Sequence, residues 1–438
     1  VRKETEWSTK AKELEGEYQG IADELKEFAW PQRGCQAELA SLLLQAGKHR
    51  IVAAPKKRKL MQAVETTLKK YPGVDNSLSL NLQEEVEQAM DTVKPESSPG
   101  VPWSQFGKSN EALFASHYSL IQGATVERIE LLLSTPLEEL RKKSAVELVQ
   151  QGYVDPIRIF TKNEPHKTDK ILQKKFRLIC SVSIVDQLIE RVMAWRQNAL
   201  EIANWETIPS KPGIGFDDDR NQSVWDSVFP LLEKGQLAEG DVSGWDWSVQ
   251  AWELEQEAEM RIRLGACSRM AQLIRARMYC LSLSVFALSS GELLAQTSPG
   301  VMKSGSYITS SGNSRIRVLA AELIGADCIA MGDDSLETYV WDAKNQYKML
   351  GHDVKLYELC GDSFGFCSNR YKDGIAYPES AARTLFRLLN QKLGNATTDE
   401  ERVKRLDLFM QFTQEMRHHP KLVLMQRLIS EVGWLSDV

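Results

Sequence analysis

The stretch Met331-Gly332-Asp333-Asp334-Ser335 constrains this chain more than any other. It lies between two short β-like runs, 327–330 and 336–340. Gly and Asp both accept turn conformations, so the pattern predicts a β-hairpin with two carboxylates at an exposed tip. Adjacent carboxylates repel each other, and a divalent cation is their natural compensation. Alone the tripeptide says little, since average residue usage places it by chance in roughly one chain in ten of this length. A plain acidic turn explains it equally well, so its meaning rests on the rest of the sequence.

Four other segments bear on it. In Gly240-Asp241-Val242-Ser243-Gly244-Trp245-Asp246-Trp247, Asp241 closes a β-like run and helix-like sequence starts at Val249. A carboxylate at a strand end can point into a cleft. Asp246 then falls in the next turn or first helical turn, where capping that helix is the plain alternative. In Lys303-Ser304-Gly305 and onward, Gly305, Thr309 and Asn313 are spaced by four, which predicts one polar helix face. A face beginning at Gly suits close approach of a sugar–phosphate backbone; a Ser-rich helix entry is the bland reading. Between Arg158 and Arg177 seven basic residues, Lys162, Lys175 and Arg177 among them, face only Glu164 and Asp169. The guanidinium of Arg177, in a strand-like run, has the fork geometry that suits a triphosphate. Finally, Pro95-Glu-Ser-Ser-Pro-Gly-Val-Pro102 can be neither helix nor central strand. Its part from Ser97 through Ser98 and Gly100 to Pro102 is a stiff loop with amides available to a phosphate.

The formal net charge of -6 does not argue against nucleic acid, because local charge decides that question. A hydrophobic fraction of 42% excludes disorder. At 438 residues the chain is expected to form two or three domains, or subdomains around one cleft. No eighteen-residue apolar run is present, and the polar, charged start from Val1 to Trp7 does not read as a signal peptide. The missing initiator Met suggests release from a longer precursor or an artificial start. Seven scattered Cys without a Cys-x-x-Cys pair predict no disulfide framework and no structural zinc, hence a reducing compartment. Helices are predicted at 8–30, 36–47, 56–70, 126–151, 184–204, 249–264 and 267–280, and through the last sixty residues. Strands are predicted at 176–182, 237–242, 327–331, 335–340 and 352–357. The reading is α+β, helix-rich, with a small antiparallel sheet in the second half. Three motifs are set aside. Asp217-Asp218-Asp219 has no strand to position it. Gly107-Lys108-Ser109 lacks the earlier Gly of a P-loop, because position 102 is Pro. His418-His419 has no neighbouring ligand and reads as a solvated pair.

Taken in order, the five segments resemble the motifs of positive-strand viral RNA-dependent RNA polymerases: Ser98-Pro-Gly-Val-Pro102, Lys162-Asn-Glu164 with Lys175-Phe-Arg177, Asp241 to Asp246, Ser304 to Asn313, then Gly332-Asp-Asp334. Flanking text such as Trp30-Pro-Gln-Arg-Gly and Ile208-Pro-Ser-Lys-Pro-Gly is similar to sobemovirus and polerovirus polymerases. The resemblance implies a right hand: fingers at 1–183 and 262–302, a palm of small antiparallel sheet plus helices at 184–261 and 303–373, and a helical thumb at 374–438. It implies two Mg²⁺ ions, with Mn²⁺ as substitute, on Asp241 and Asp333 with Asp334 assisting. Asp246 and Asn313 are then expected at the ribose 2′-hydroxyl, supported by Ser304 and Thr309. Lys162, Lys175 and Arg177 are expected at the triphosphate, and Ser98, Gly100, Pro102 and Gly305 at the template. The hairpin around Phe364-Gly-Phe-Cys367 is expected to grip the primer strand; its Arg370 is either part of that grip or a plain surface charge. Lys355, with Lys348 as the other candidate, is expected to protonate pyrophosphate. The partners implied are template and nascent RNA, NTPs, a genome-linked protein primer, and viral and host replication proteins. The setting implied is the host cytoplasm, at membrane-associated replication complexes. A reverse transcriptase and a non-catalytic RNA-binding replication protein are the competing readings.

Overall fold

A computed structural model describes residues 2–215, 217–393 and 398–435. Its organising element is a four-stranded antiparallel sheet. The strand order is Val354–Leu359, Leu237–Val242, Asp334–Thr338, Cys328–Met331. Alternate side chains leave a strand on opposite faces, and both faces of this sheet are apolar. Cys328 and Ala330 enter the main core against the helix Thr309–Leu323, while Ile329 and Leu336 pack with Val224 and Val228 of the helix Asp218–Lys234. The sheet is therefore sandwiched by helices, apart from its edge strand Val354–Leu359, which stays largely exposed.

The predicted hairpin is present. Met331 pairs with Asp334 across a two-residue turn, and Gly332 takes the positive φ of +60° that such a turn requires.

Other predictions fail where the chain is broken by local chemistry. The helix predicted at 8–30 is two helices, Glu6–Lys12 and Gln19–Leu25, parted around Gly16 in the left-handed region. The helix predicted at 126–151 starts earlier, at Asn110–Ser134, and stops before Pro136, with the short helices Leu137–Leu140 and Ala145–Gln150 beyond. A second four-stranded sheet was not anticipated. In it Ile157–Thr161 pairs antiparallel with Leu178–Ser181 and parallel with Val285–Ala287, which pairs with Leu293–Ala295. A three-stranded sheet, Ser363–Phe366, Asn369–Lys372 and Ile375–Pro378, follows the first sheet. Its Phe364 and Tyr371 rings stack at 4.8 Å and cap the helix residue Trp225.

A separate apolar cluster joins the two ends of the chain. Ala11, Ile21, Leu25 and Phe28 pack with Leu385, Phe386, Met425, Leu428 and Trp434. Among the described residues no helix is long and apolar enough to cross a membrane, and all seven cysteines are free thiols.

Phe386 is fully buried, with its ring 6.1 Å from Phe28 and 5.8 Å from Trp30. Phe386→Ala is expected to lower stability by about 3–5 kcal/mol, the usual cost of such a cavity. Urea unfolding followed by tryptophan fluorescence would measure it.

Candidate active site

Asp241 is the next-to-last residue of Leu237–Val242, and Asp333 sits in the neighbouring hairpin turn. Gly240 pairs with Ser335, so the adjacent strands bring both carboxylates to the same edge of the sheet. Burial chiefly raises the Asp333 pKa, and the nearby charge of Asp241 adds to that rise. Beyond the backbone N–H of Asp333 itself, neither carboxylate has a hydrogen-bond or ion-pair partner among the described residues.

The helix Thr309–Leu323 holds the turn from below. Ser314 Oγ accepts from the Gly332 N–H at 2.8 Å, and Arg317 Nε donates to the Asp333 carbonyl at 3.2 Å. Arg317 is buried and is itself fixed by Tyr347 at 2.8 Å and Glu337 at 3.3 Å. From the other side the Cys367 N–H donates to the Asp334 carboxylate at 2.8 Å.

Asp246 lies in the one-turn helix Trp245–Ser248, entered through Gly244 at a φ of +53°. Asn313 Nδ2 donates to its Oδ1 at 2.8 Å. Thr309 and Asn313 share the predicted helix face, but Gly305 does not, because the helix begins at Thr309. Thr309 Oγ1 instead donates to the Lys303 carbonyl at 2.6 Å and shapes the preceding loop. Ser304 Oγ accepts from the Cys180 N–H at 3.3 Å, tying that loop to the strand after Arg177.

Across the cleft, Glu164 holds two cations side by side, Lys162 at 3.0 Å and Arg177 at 2.8 Å. Burial raises its pKa, but Arg177 and Lys162 outweigh that and keep the carboxyl below its ordinary range. Arg177 remains exposed and within electrostatic reach of both Asp246 and Asp333. Sequence reasoning missed Lys48. It stands against Lys175 with Lys170 and Lys355 close by, and the Lys175 contact chiefly pushes its pKa down to about 8.

The sequence agrees with what this geometry suggests. The family model for viral RNA-directed RNA polymerase matches residues 9–387. The chain belongs to that family. It is 43% identical over 391 residues to the replicase polyprotein P2AB of Southern bean mosaic virus, covering 85% of this chain and 40% of the polyprotein. It is 35% identical to protein P1-P2 of Potato leafroll virus, covering 97% of this chain and 42% of that protein. It is 34% identical to the RNA-directed RNA polymerase of Mushroom bacilliform virus, covering 84% of this chain and 88% of that one. The chain thus spans about two fifths of the first two relatives. The sobemovirus and polerovirus likeness read from the flanking text is matched by these relatives.

Polymerases of this family use divalent metal ions, and the residues present fit one. Among the described residues no three His, Cys, Asp or Glu side chains gather into a ready-made metal cage. A small hard cation does not need one, because it binds through one or two carboxylates with water and substrate phosphates completing the shell. Asp241 and Asp333, to which no cation is paired among the described residues, are such a donor set. Burial, then Asp333, pushes Asp334 up to about 7, so this carboxylate gains most from added positive charge.

The remaining predicted residues are placed as follows. Lys355 is the extra residue of a bulge beside Asp241, where the register steps from Val354–Val242 to Leu356–Asp241. Bulges re-aim side chains next to active sites. Lys348 lies in the last turn of the helix Ala343–Leu350, its carbonyl accepting from Arg50 at 3.0 Å. Ser98 and Gly305 line a cavity of about 300 Å³ together with Lys94, Ser181 and Arg191. Gly305 also meets protein: a Cβ there would lie 1.7 Å from the Cys180 carbonyl oxygen. Gly100 is buried, and a Cβ would lie 3.0 Å from the Ser183 Cα, so the glycine lets the loop pack closely there. Pro102 is exposed at the start of the turn Trp103–Gln105. Arg370 pairs with Glu239 at 3.2 Å and with Glu379, contacts that clasp the hairpin to the sheet.

The three rejected motifs have structural roles. Asp217 caps the helix Asp218–Lys234 and Ser109 caps Asn110–Ser134. His418 and Arg417 both contact Asp218, at 2.9 and 2.7 Å.

Burial raises the Asp246 pKa from 3.8 to about 6, against the opposing Asn313 hydrogen bond. Between those values the folded chain holds a proton that the unfolded chain releases. Stability therefore falls as pH rises through that window. Asp246→Asn removes the penalty. In EDTA near neutral pH it is expected to be more stable than the parent by about 1 kcal/mol, with the advantage gone below about pH 4. Thermal melts across that pH range would measure it.

Proposed function

We propose that this chain is the catalytic core of an RNA-directed RNA polymerase that replicates and transcribes a viral positive-strand genome. The observation that carries this reading is the meeting of Asp241 and Asp333 on adjacent strands, facing the exposed Arg177. In this reading the sheet and its helices are the palm. The segments 1–183 and 262–302 are fingers, and 374–438 is the thumb.

Asp241 and Asp333 would hold Mg²⁺, or Mn²⁺ in its place, with Asp334 assisting. When bound, the metal lowers the pKa of the attacking 3′-hydroxyl and offsets charge on the leaving pyrophosphate. The chain's own residues do the rest. Arg177, Lys162 and Lys175 hold the triphosphate, and Glu164 keeps the first two aimed. Asp246 accepts from the ribose 2′-hydroxyl while Asn313 holds it in place, and Ser304 and Thr309 shape the loop around them. Lys355 donates the proton to pyrophosphate, with Lys348 the other candidate. Ser98 and its loop, through Pro102, guide the template across the cavity that Gly305 also lines. Template, nascent RNA and NTPs are the partners of this reaction.

The Asp246–Asn313 pair favours ribose over deoxyribose. A reverse transcriptase needs bulk at that place to exclude the 2′-hydroxyl. A genome-linked protein is proposed to start synthesis, as the sobemovirus resemblance implies. Efficient unprimed initiation on bare template, with no gain from that protein, overturns this part. Replication proteins of virus and host are proposed to gather the enzyme at membrane-associated complexes in the host cytoplasm.

Primer extension on homopolymer RNA tests the core claim. Asp333→Ala is expected to reduce nucleotide incorporation to background while RNA binding, read by fluorescence anisotropy, stays near the parent value. Incorporation retained by that variant removes the assignment. Metal-independent RNA binding without any polymer product from the parent chain would favour a replication scaffold.

A further inference from the structure

The pair proposed to meet the ribose does not set its own orientation. Trp245 Nε1 donates to Asn313 Oδ1 at 3.0 Å, and Asn313 Nδ2 donates to Asp246 Oδ1 at 2.8 Å. An amide has one accepting end and one donating end. With a donor fixed on Oδ1, the Asn313 amide can turn only its NH₂ toward Asp246. Were it to flip, two acceptors would face each other, and Asp246 would have to take up a proton to restore the contact. A protonated Asp246 can no longer accept through that oxygen as a carboxylate.

Trp245 is suited to the task because it cannot move. It is 2% exposed, and its ring stacks on His352 at 4.1 Å with an interplanar angle of 15°. Arg317 lies over the same ring at 5.7 Å. His352 is pinned at both nitrogens, by Ser248 Oγ at 2.7 Å and by Glu253 Oε2 at 2.8 Å. The Ser248 hydroxyl also donates to the Trp245 carbonyl at 2.7 Å. The second oxygen of Asp246 has no protein partner among the described residues, so it is left for a ligand.

We infer that Trp245 is a positioning residue for sugar selection: its indole N–H locks the Asn313 amide so that Asp246 presents a carboxylate oxygen to the ribose 2′-hydroxyl. This rests on the reading that Asp246 and Asn313 face the ribose. A tryptophan serving only as core filling would be equally buried, but it would not need its N–H.

The test measures kcat and KM for matched NTP and dNTP incorporation by the full chain on primed RNA. Asp246→Ala tests the underlying reading and is expected to erode the NTP preference. Trp245→Phe keeps an aromatic ring on His352 and removes the donor. It is expected to lower the NTP-over-dNTP ratio of kcat/KM by about tenfold, the factor that loss of one net hydrogen bond corresponds to, with the loss falling on NTP. Trp252→Phe is the control, because Trp252 is also buried but its Nε1 has no partner. It is expected to leave the ratio unchanged. If Trp245→Phe fails to fold, 3-benzothienylalanine at 245 keeps the ring size, lacks the N–H and reads the same ratio. An eroded ratio in Asp246→Ala with an unchanged ratio in Trp245→Phe overturns the inference and leaves the reading standing. An equal fall in Trp245→Phe and Trp252→Phe assigns Trp245 to packing alone. An unchanged ratio in Asp246→Ala overturns the reading and the inference with it.

Discussion

Carboxylates crowded into one partly enclosed space repel one another, and this structure is built to hold them there. Burial and mutual repulsion raise the pKa of Asp333 and Asp334, and burial raises that of Asp246. Left to themselves the side chains would splay apart or take up protons. The fold prevents splaying by fixing backbone instead of neutralising charge. Ser314 and Arg317 hold the hairpin turn through main-chain atoms, Cys367 holds Asp334 through its N–H, and among the described residues no cation pairs directly with Asp241 or Asp333. The result is a site whose negative charge is stored for an incoming ligand.

That arrangement explains why so many ionised groups lie beneath the sheet. Arg317 pairs with Glu337 while contacting Tyr347, and Arg315 is enclosed by Glu201 and Glu257, all in the interior. Such pairs are weak contributors to stability when compared with well-packed apolar groups. They are, however, directional. A guanidinium with several partners of fixed geometry sets the rotation of the helix Thr309–Leu323, and with it the places of Asn313 and Ser314.

How much of this could be read from the chain depended on distance along the sequence. The hairpin at Gly332 was legible because a two-residue turn between β-like runs is a local signal. The strand that carries Asp241 was legible for the same reason. Asp246 and Asn313 could be named by motif but not joined by spacing alone, since they lie 67 positions apart and meet only through the fold. The contact between Arg370 and Glu239 was not legible, because the two lie 131 positions apart. Gly305 was set on a helix by its spacing, whereas its absent side chain is needed for packing on Cys180. Lys48 gave no signal: one lysine after a helix is ordinary until the fold brings Lys175 beside it. The second sheet was missed because its parallel pairing of Ile157 with Phe286 leaves no local pattern.

The apolar cluster shared by the two chain ends has a consequence during synthesis. Chains leave the ribosome from the N-terminus, and early segments ordinarily fold as they emerge. Here Ala11, Ile21, Leu25 and Phe28 complete their burial against late residues such as Leu385 and Trp434. The first helices therefore reach full burial only once residues as late as Trp434 have been made. A ribosome that stalls late leaves a nascent product whose sheet can form but whose ends cannot close. Translation past Trp434 thus becomes a condition for closing this cluster.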